Sequence, residues 1–187
     1  MRRVKMGASE TNMETQMLKY VFFEGADCTG KSTAVNAVSE FLTEKGASVG
    51  VTHFGPIPTA RSGRAFFEAM YNQIEITAKN KDVMLVDRCW LSEPIYGALR
   101  GKVRSTPELR AEIERYYNGK GAFVILCNPL LLEVLKAYNT RKEIEMLSDP
   151  NQLARVYLEY LDVETDLPTV TYDWTTENIL DLLKWAL

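Results

Sequence analysis

Cysteine, histidine and long apolar runs are what this sequence has least of. The three cysteines, Cys28, Cys89 and Cys127, are an odd number with no C-x-x-C pair. That excludes the common zinc spacings and a disulfide framework, and it fits a reducing cytoplasm. His53 is the only histidine, and one histidine without a placed nucleophile and acid makes no catalytic triad. There is no apolar run of about 18 residues, the length a membrane span needs. The basic start at Arg2, Arg3 and Lys5 runs into a polar segment rather than an apolar signal core, so neither export nor a membrane partner is expected. Positive charge is not in excess either. A net charge of −3 gives no general pull toward nucleic acid and points to a small anion as partner.

What the sequence does hold is the makeup of an ordinary globular chain, 46% apolar and 25% charged over 187 residues. At that length one compact domain buries about 70% of its unfolded surface. Residues 19–24 form a short aromatic and β-branched run ending in glycine, the pattern of a buried strand. Beyond Gly30, the residues Val35, Val38, Phe41 and Leu42 recur at helical spacing until Lys45-Gly46. A second strand is expected over residues 47–53, a loop at Pro56 and Pro58, and a helix over 61–79. The continuous apolar runs that end at Asp87 and Cys127 suit central parallel strands buried on both faces. Helices are expected near 92–99, 107–117, 130–138 and 151–161, then a strand at 169–173 and a closing helix through Ile179, Leu183 and Trp185. Strands alternating with helices give an α/β three-layer sandwich, a five-stranded parallel sheet with helices on both faces.

The strongest motif is Gly25-Ala26-Asp27-Cys28-Thr29-Gly30-Lys31-Ser32, which matches G-x-x-x-x-G-K-[ST] between a strand and a helix. The glycines let the backbone curl so that successive N–H groups point inward, and the following helix adds its positive end. The phosphates of ATP fit such a loop. Lys31 is expected to reach the β- and γ-phosphates and Ser32 to place its hydroxyl on Mg2+, with Thr33 as a neighbouring helper. The motif implies a P-loop NTPase-type architecture, and it leaves hydrolysis, transfer and binding alone all open.

Val83-Met84-Leu85-Val86-Asp87 has the strand-then-aspartate form of the second nucleotide motif, which sets Asp87 near the metal and the transferred phosphate. The segment Asp87-Arg88-Cys89-Trp90-Leu91-Ser92-Glu93-Pro94-Ile95-Tyr96-Gly97 resembles the aspartate-arginine signature of the thymidylate kinase family. The phosphate loop resembles the same family, with acidic Asp27 at its third position and Phe22-Phe23-Glu24-Gly25 leading into it. The likeness in element order runs from residue 17 to residue 187, and its specificity lies in about 25 residues of the two motifs. Two places depart from the family pattern. Where the family carries an arginine-glutamate-proline type segment for the acceptor phosphate, this chain has His53-Phe54-Gly55-Pro56, with Arg61 and Arg64 farther on. Gly97 stands where many members have a glutamine that contacts thymine.

The basic and polar opening residues are expected to form a flexible leader at 1–16, and the resemblance implies one kinase domain over residues 17–187. It implies Mg2+-dependent transfer of the γ-phosphoryl group of ATP to a deoxynucleoside monophosphate, dTMP first, and a homodimer. Asp27 would orient the acceptor sugar, Arg88 would form a fork on the acceptor phosphate, and Ser92 and Tyr96 would line the acceptor pocket. Arg64 and Phe67 are further acceptor-side candidates, although core packing is the other reading of Phe67, its aromatic neighbours and Tyr96. His53 is either structural or a polar group of that pocket. Transfer also needs a cation that arrives with a closing lid. Residues 139–150 lie where the family has its lid, with Arg141 the first choice, Lys142 and Arg155 the others, and a solvated charged face the alternative. The turn at 171–176 is expected beside the adenine, with Asp173 or Thr175 capping the last helix. Rival readings are a nucleoside or another base as acceptor, a GTP-dependent switch, or a non-catalytic nucleotide-binding module. A switch would want Asn-Lys-x-Asp, and Asn80-Lys81-Asp82-Val83 fails that spacing. Phosphorylation of DNA ends would need a basic groove that the charge balance does not suggest.

Overall fold

The computed structural model describes residues 20–55, 62–140, 147 and 149–186, the side chains of the last three excepted. In chain order the elements are β1 (Tyr20–Glu24), α1 (Lys31–Glu44), β2 (Val49–His53), α2 (Gly63–Ala78), β3 (Val83–Asp87) and α3 (Ser92–Leu99). They continue with α4 (Pro107–Asn118), β4 (Phe123–Cys127), α5 (Leu131–Thr140), α6 (Pro150–Leu161), β5 (Thr169–Tyr172) and α7 (Ile179–Ala186). Order and kind follow the sequence pattern, and the ends shift for local reasons. β2 starts at Val49 because Ser48 is held by the Asp82 carboxylate, which accepts from its backbone N–H at 2.7 Å and its hydroxyl at 2.8 Å. α2 starts at Gly63 because Ser62 caps it, its hydroxyl oxygen accepting from Ala65 N–H. α7 is capped by Asn178, whose side chain accepts from Leu180 N–H. Asp173 and Thr175 were the expected caps, but they close the preceding turn on each other. The leader expected over residues 1–16 lies outside the described residues.

All strands are parallel, in the order β2-β3-β1-β4-β5. β1 is central, and the crossovers to its two neighbours leave in opposite directions, which opens a crevice at its carboxyl end. The strand period of two sorts the core. Val21 and Phe23 of β1 face α1 and α7, packing with Val35, Val38 and Leu183. Tyr20 and Phe22 face α2 and α4, packing with Met70, Ile74, Trp90 and Tyr117. This is the expected three-layer sandwich. A third cluster, from α3, α5 and α6, surrounds Ala26 and Cys28 and so supports the phosphate loop from outside the sheet. Among the described residues no helix is long and apolar enough to cross a membrane.

One polar tie runs through the α2–α4 layer. The Trp90 ring stacks on Tyr117 and meets Phe22 edge-on, and its indole N–H donates to buried Glu114 at 3.0 Å. The other carboxylate oxygen of Glu114 accepts from Asp166 N–H at 3.0 Å. Leaving these donors without an acceptor carries their desolvation cost. Glu114→Ala is therefore expected to lower stability by about 1–3 kcal/mol in urea unfolding. Glu114→Gln, which keeps one acceptor oxygen, is expected to cost less. Equal losses would show that packing, not the acceptor, matters at this position.

Candidate functional site

The phosphate loop leaves β1 at the centre of the sheet. Gly25 has φ 142° and Gly30 φ 84°, and a Cβ on Gly25 would lie 2.4 Å from the Cys127 carbonyl oxygen. Only glycine fits there. A Cβ on Gly30 would meet the Trp174 ring at 2.9 Å, so the turn after β5 sits against the loop where α1 begins. The loop is braced from within: Thr29 Oγ1 donates to Ala26 O at 2.9 Å and Lys31 Nζ to the same oxygen at 2.5 Å. Ser32 and Thr33, in the first turn of α1, stay exposed.

Parallel pairing of β1 with β3, with Phe23 opposite Asp87, brings the second motif alongside. Asp87 Oδ2 accepts from Ser32 Oγ at 2.8 Å and lies 3.1 Å from His53 Nδ1. Asp87 Oδ1 is buried and makes no hydrogen bond among the described residues. The next residue, Arg88, has φ 70°, a left-handed backbone that costs a non-glycine residue about 1–3 kcal/mol and persists only where the surroundings impose it. Here its N–H bonds to Phe23 O at 2.9 Å, while the following N–H, of Cys89, bonds to Glu24. The guanidinium is thereby aimed at the phosphate loop. It donates to Gly25 O at 3.1 Å, pairs with Asp27 Oδ1 and lies 4.8 Å from the centre of the Tyr96 ring. Asp27 Oδ2 is buried and bonds to nothing among the described residues.

Glu24 is a buried position beneath the site that motif reasoning left without a role. Its buried carboxylate accepts from Cys89 N–H at 2.5 Å, Ser92 Oγ at 2.6 Å and the Tyr160 hydroxyl at 3.0 Å. It thus ties the end of β1 to the Arg88 turn, α3 and α6. The signals in the sequence were an acidic residue ending an otherwise apolar strand and its place in Phe22-Phe23-Glu24-Gly25, neither of which says what the carboxylate binds.

These groups open on one cavity of about 270 Å3. Of the residues named from sequence, Asp27, Cys28, Gly30, Lys31, Ser32, Thr33, His53, Asp87, Arg88, Ser92 and Tyr96 line it. Gly25 and Thr29 shape the loop from behind. Phe67 and Arg64 do not reach the cavity, which corrects their expected place in the acceptor pocket. They border a separate cavity between α2 and α4, where Arg64 pairs with Glu112 at 3.3 Å. The residue next to Phe67, Phe66, is turned by the helix toward the main cavity instead. Arg155 is exposed on α6 and is not among the lining residues. Arg141, Lys142 and Arg61 lie outside the described residues. Arg100 and Arg104, which the motifs did not single out, line the wall formed by α3 and its following loop.

Burial, reinforced by nearby Arg88, pulls the Lys31 ammonium down to about 8. An anion placed against it would restore its charge. Ser32 and Asp87, with one Asp87 oxygen unengaged, suit Mg2+, which takes few protein ligands and shares the rest of its shell with phosphate and water. Among the described residues no group of three or more His, Cys, Asp or Glu side chains could hold a metal alone. The donor set therefore fits a phosphate-borne cation.

No protein-family model and no curated protein matches the chain. Solved structures do. The YorR protein of Bacillus subtilis, in complex with phosphorylated GDP, superposes with a TM-score of 0.62 at 21% identity, over 89% of this chain and 92% of that one. A deoxyadenosine kinase from M. mycoides, with dCMP and dCDP, gives 0.54 at 16% identity over 89% and 95%. Thymidylate kinase from Candida albicans gives 0.55 at 13% identity over 90% and 89%. The chain has the P-loop α/β fold of these kinases.

Lys31 also sets a pH dependence. With the free ammonium titrating near 8, a polyphosphate raises its pKa, so binding above that pH requires proton uptake. Mg-ATP affinity is expected to be level below about pH 8 and to fall by up to about tenfold per pH unit above it. Isothermal titration calorimetry between about pH 7 and about pH 9.5 checks this. A level affinity across that range would remove Lys31 as the titrating contact.

Proposed function

We propose that the chain is a nucleoside monophosphate kinase that moves the γ-phosphoryl group of ATP onto a deoxynucleoside monophosphate, with dTMP the foremost acceptor. The observation that carries this reading is the charge of the cavity wall. Lys31, Arg88, Arg100 and Arg104 face into it against three carboxylates, Asp27, Asp87 and Glu93. All three carboxylates are engaged with protein groups, Asp27 with Arg88, Asp87 with Ser32 and His53, and Glu93 with backbone amides. A site with cations at both ends suits a donor and an acceptor that both carry phosphate.

In this reading the loop amides and Lys31 hold the donor phosphates, and Ser32 and Asp87 hold Mg2+, which neutralises charge on the bridging oxygens. Arg88, freed in part from Asp27, offers a planar fork to the acceptor phosphate, and the open oxygen of Asp27 meets a sugar hydroxyl. An acceptor phosphate is already ionised at neutral pH, so no general base is required. Positioning and charge supply the rate enhancement. Arg141, of the expected lid, is the proposed source of the further cation. A nucleoside acceptor is the second reading, supported by likeness to the deoxyadenosine kinase fold.

Mg-ATP with a panel of nucleosides and monophosphates, followed by phosphorus NMR, is expected to yield ADP and a nucleoside diphosphate. Lys31→Ala and Arg88→Ala are each expected to reduce turnover by at least about 100-fold. Products confined to nucleoside monophosphates would favour the second reading, and GTP hydrolysis without any acceptor would overturn both.

A further inference from the structure

Tyr160, near the end of α6, is only 1% exposed, and no motif singled it out. Its hydroxyl lies 2.6 Å from Ser92 Oγ and donates to Glu24 Oε2 at 3.0 Å. Ser92 Oγ donates to the same carboxylate oxygen at 2.6 Å. A hydroxyl carries one proton, so these two hydroxyls and the oxygen between them form a closed cluster with no donor left over. Ser92 borders the cavity, yet its proton is directed at Glu24 and not at a ligand.

The two oxygens of Glu24 face different partners. Oε2 takes the hydroxyls from α3 and α6, and Oε1 takes Cys89 N–H at 2.5 Å. A carboxylate is planar, and this one ends a strand paired on both sides, so turning one oxygen turns the other. Cys89 directly follows Arg88, whose left-handed backbone aims the guanidinium at the phosphate loop. The Tyr160 hydroxyl is therefore connected to the Arg88 turn through Glu24 alone. Tyr157, one turn earlier on α6, offers a contrast. Its hydroxyl donates to Pro129 O at 2.8 Å, in the connection between β4 and α5, and so fastens α6 without engaging Glu24.

We infer that Tyr160 is a positioning residue for Arg88: together with Ser92 it fixes the Glu24 carboxylate in the orientation that holds Cys89 N–H and thereby sets the guanidinium. Through this one hydroxyl α6, which gives no side chain to the cavity wall, acts on the site. The kinetic consequence rests on the proposed role of Arg88 toward the acceptor phosphate, whereas the geometric one does not.

The test removes single hydroxyls and keeps the rings. The Arg88 Nε–H signal in proton–nitrogen NMR spectra, identified by its loss in Arg88→Lys, reports the guanidinium without any substrate. It is expected to shift or broaden in Tyr160→Phe and in Ser92→Ala and to stay in place in Tyr157→Phe. With Mg-ATP and a monophosphate acceptor, Tyr160→Phe is expected to lose about tenfold in kcat/KM for the acceptor while the KM for ATP is unchanged. Added to Arg88→Lys, the same substitution is expected to cost little more, because both act through one group. An unmoved Arg88 signal in Tyr160→Phe, an equal change in Tyr157→Phe, or fully additive losses in the double variant would overturn the inference. A moved signal in a chain that phosphorylates no acceptor would sustain it and count against the kinase reading alone.

Discussion

Everything in this site depends on the buried carboxylate of Glu24 and on the pairing of β1 with β3 that it completes. The phosphate loop and the Asp87-Arg88 turn lie far apart in sequence, and the sheet register sets them side by side. Register alone does not aim Arg88. Its left-handed backbone is held open by the Cys89 N–H bond to Glu24, and the same carboxylate draws in Ser92 and Tyr160. A buried carboxylate is costly unless several donors satisfy it. Glu24 has three such donors, from three different elements, and in satisfying it they become a rigid base for the cavity.

Above that base the polar network is only partly satisfied. Arg88 is engaged with Asp27 and Gly25, and Lys31 is folded back on Ala26. Yet one oxygen each of Asp27 and Asp87 is without a hydrogen bond among the described residues. In a low-dielectric setting such groups gain strongly from a ligand that supplies the missing partners. In the proposed function a magnesium-bound polyphosphate would answer Lys31 and Asp87, and a sugar hydroxyl would answer Asp27. The three apolar clusters that surround the site hold these charges at fixed positions, so the proposed transfer would need little reorganisation.

Much of this was legible in the sequence, and for clear reasons. β1, β3 and β4 are buried on both faces, so each reads as an unbroken apolar run. The glycine spacing of the phosphate loop is a backbone requirement and so is visible without tertiary knowledge. Side-chain direction was less legible. Phe66 and Phe67 are adjacent and both buried, and helical phase alone did not show which of them borders the cavity. The partners of Glu24 come from the turn after β3, from α3 and from α6, which only the fold assembles. The grip of Glu93 on residues 104 and 105 requires the chain to double back past Gly101, and nothing in the local pattern announces it. Gly97 read as the loss of a family side chain, whereas the structure shows main chain occupying the space.

The central claim is that residues 25–33, braced against the Asp87-Arg88 turn, form the cradle for the donor phosphates. Amide hydrogen exchange with and without Mg-ATP tests it most directly. The account predicts marked added protection of the amides from Gly25 to Thr33 and slower exchange at Arg88 and Cys89. Unchanged exchange over those residues at saturating Mg-ATP, or protection confined to another part of the fold, would contradict it.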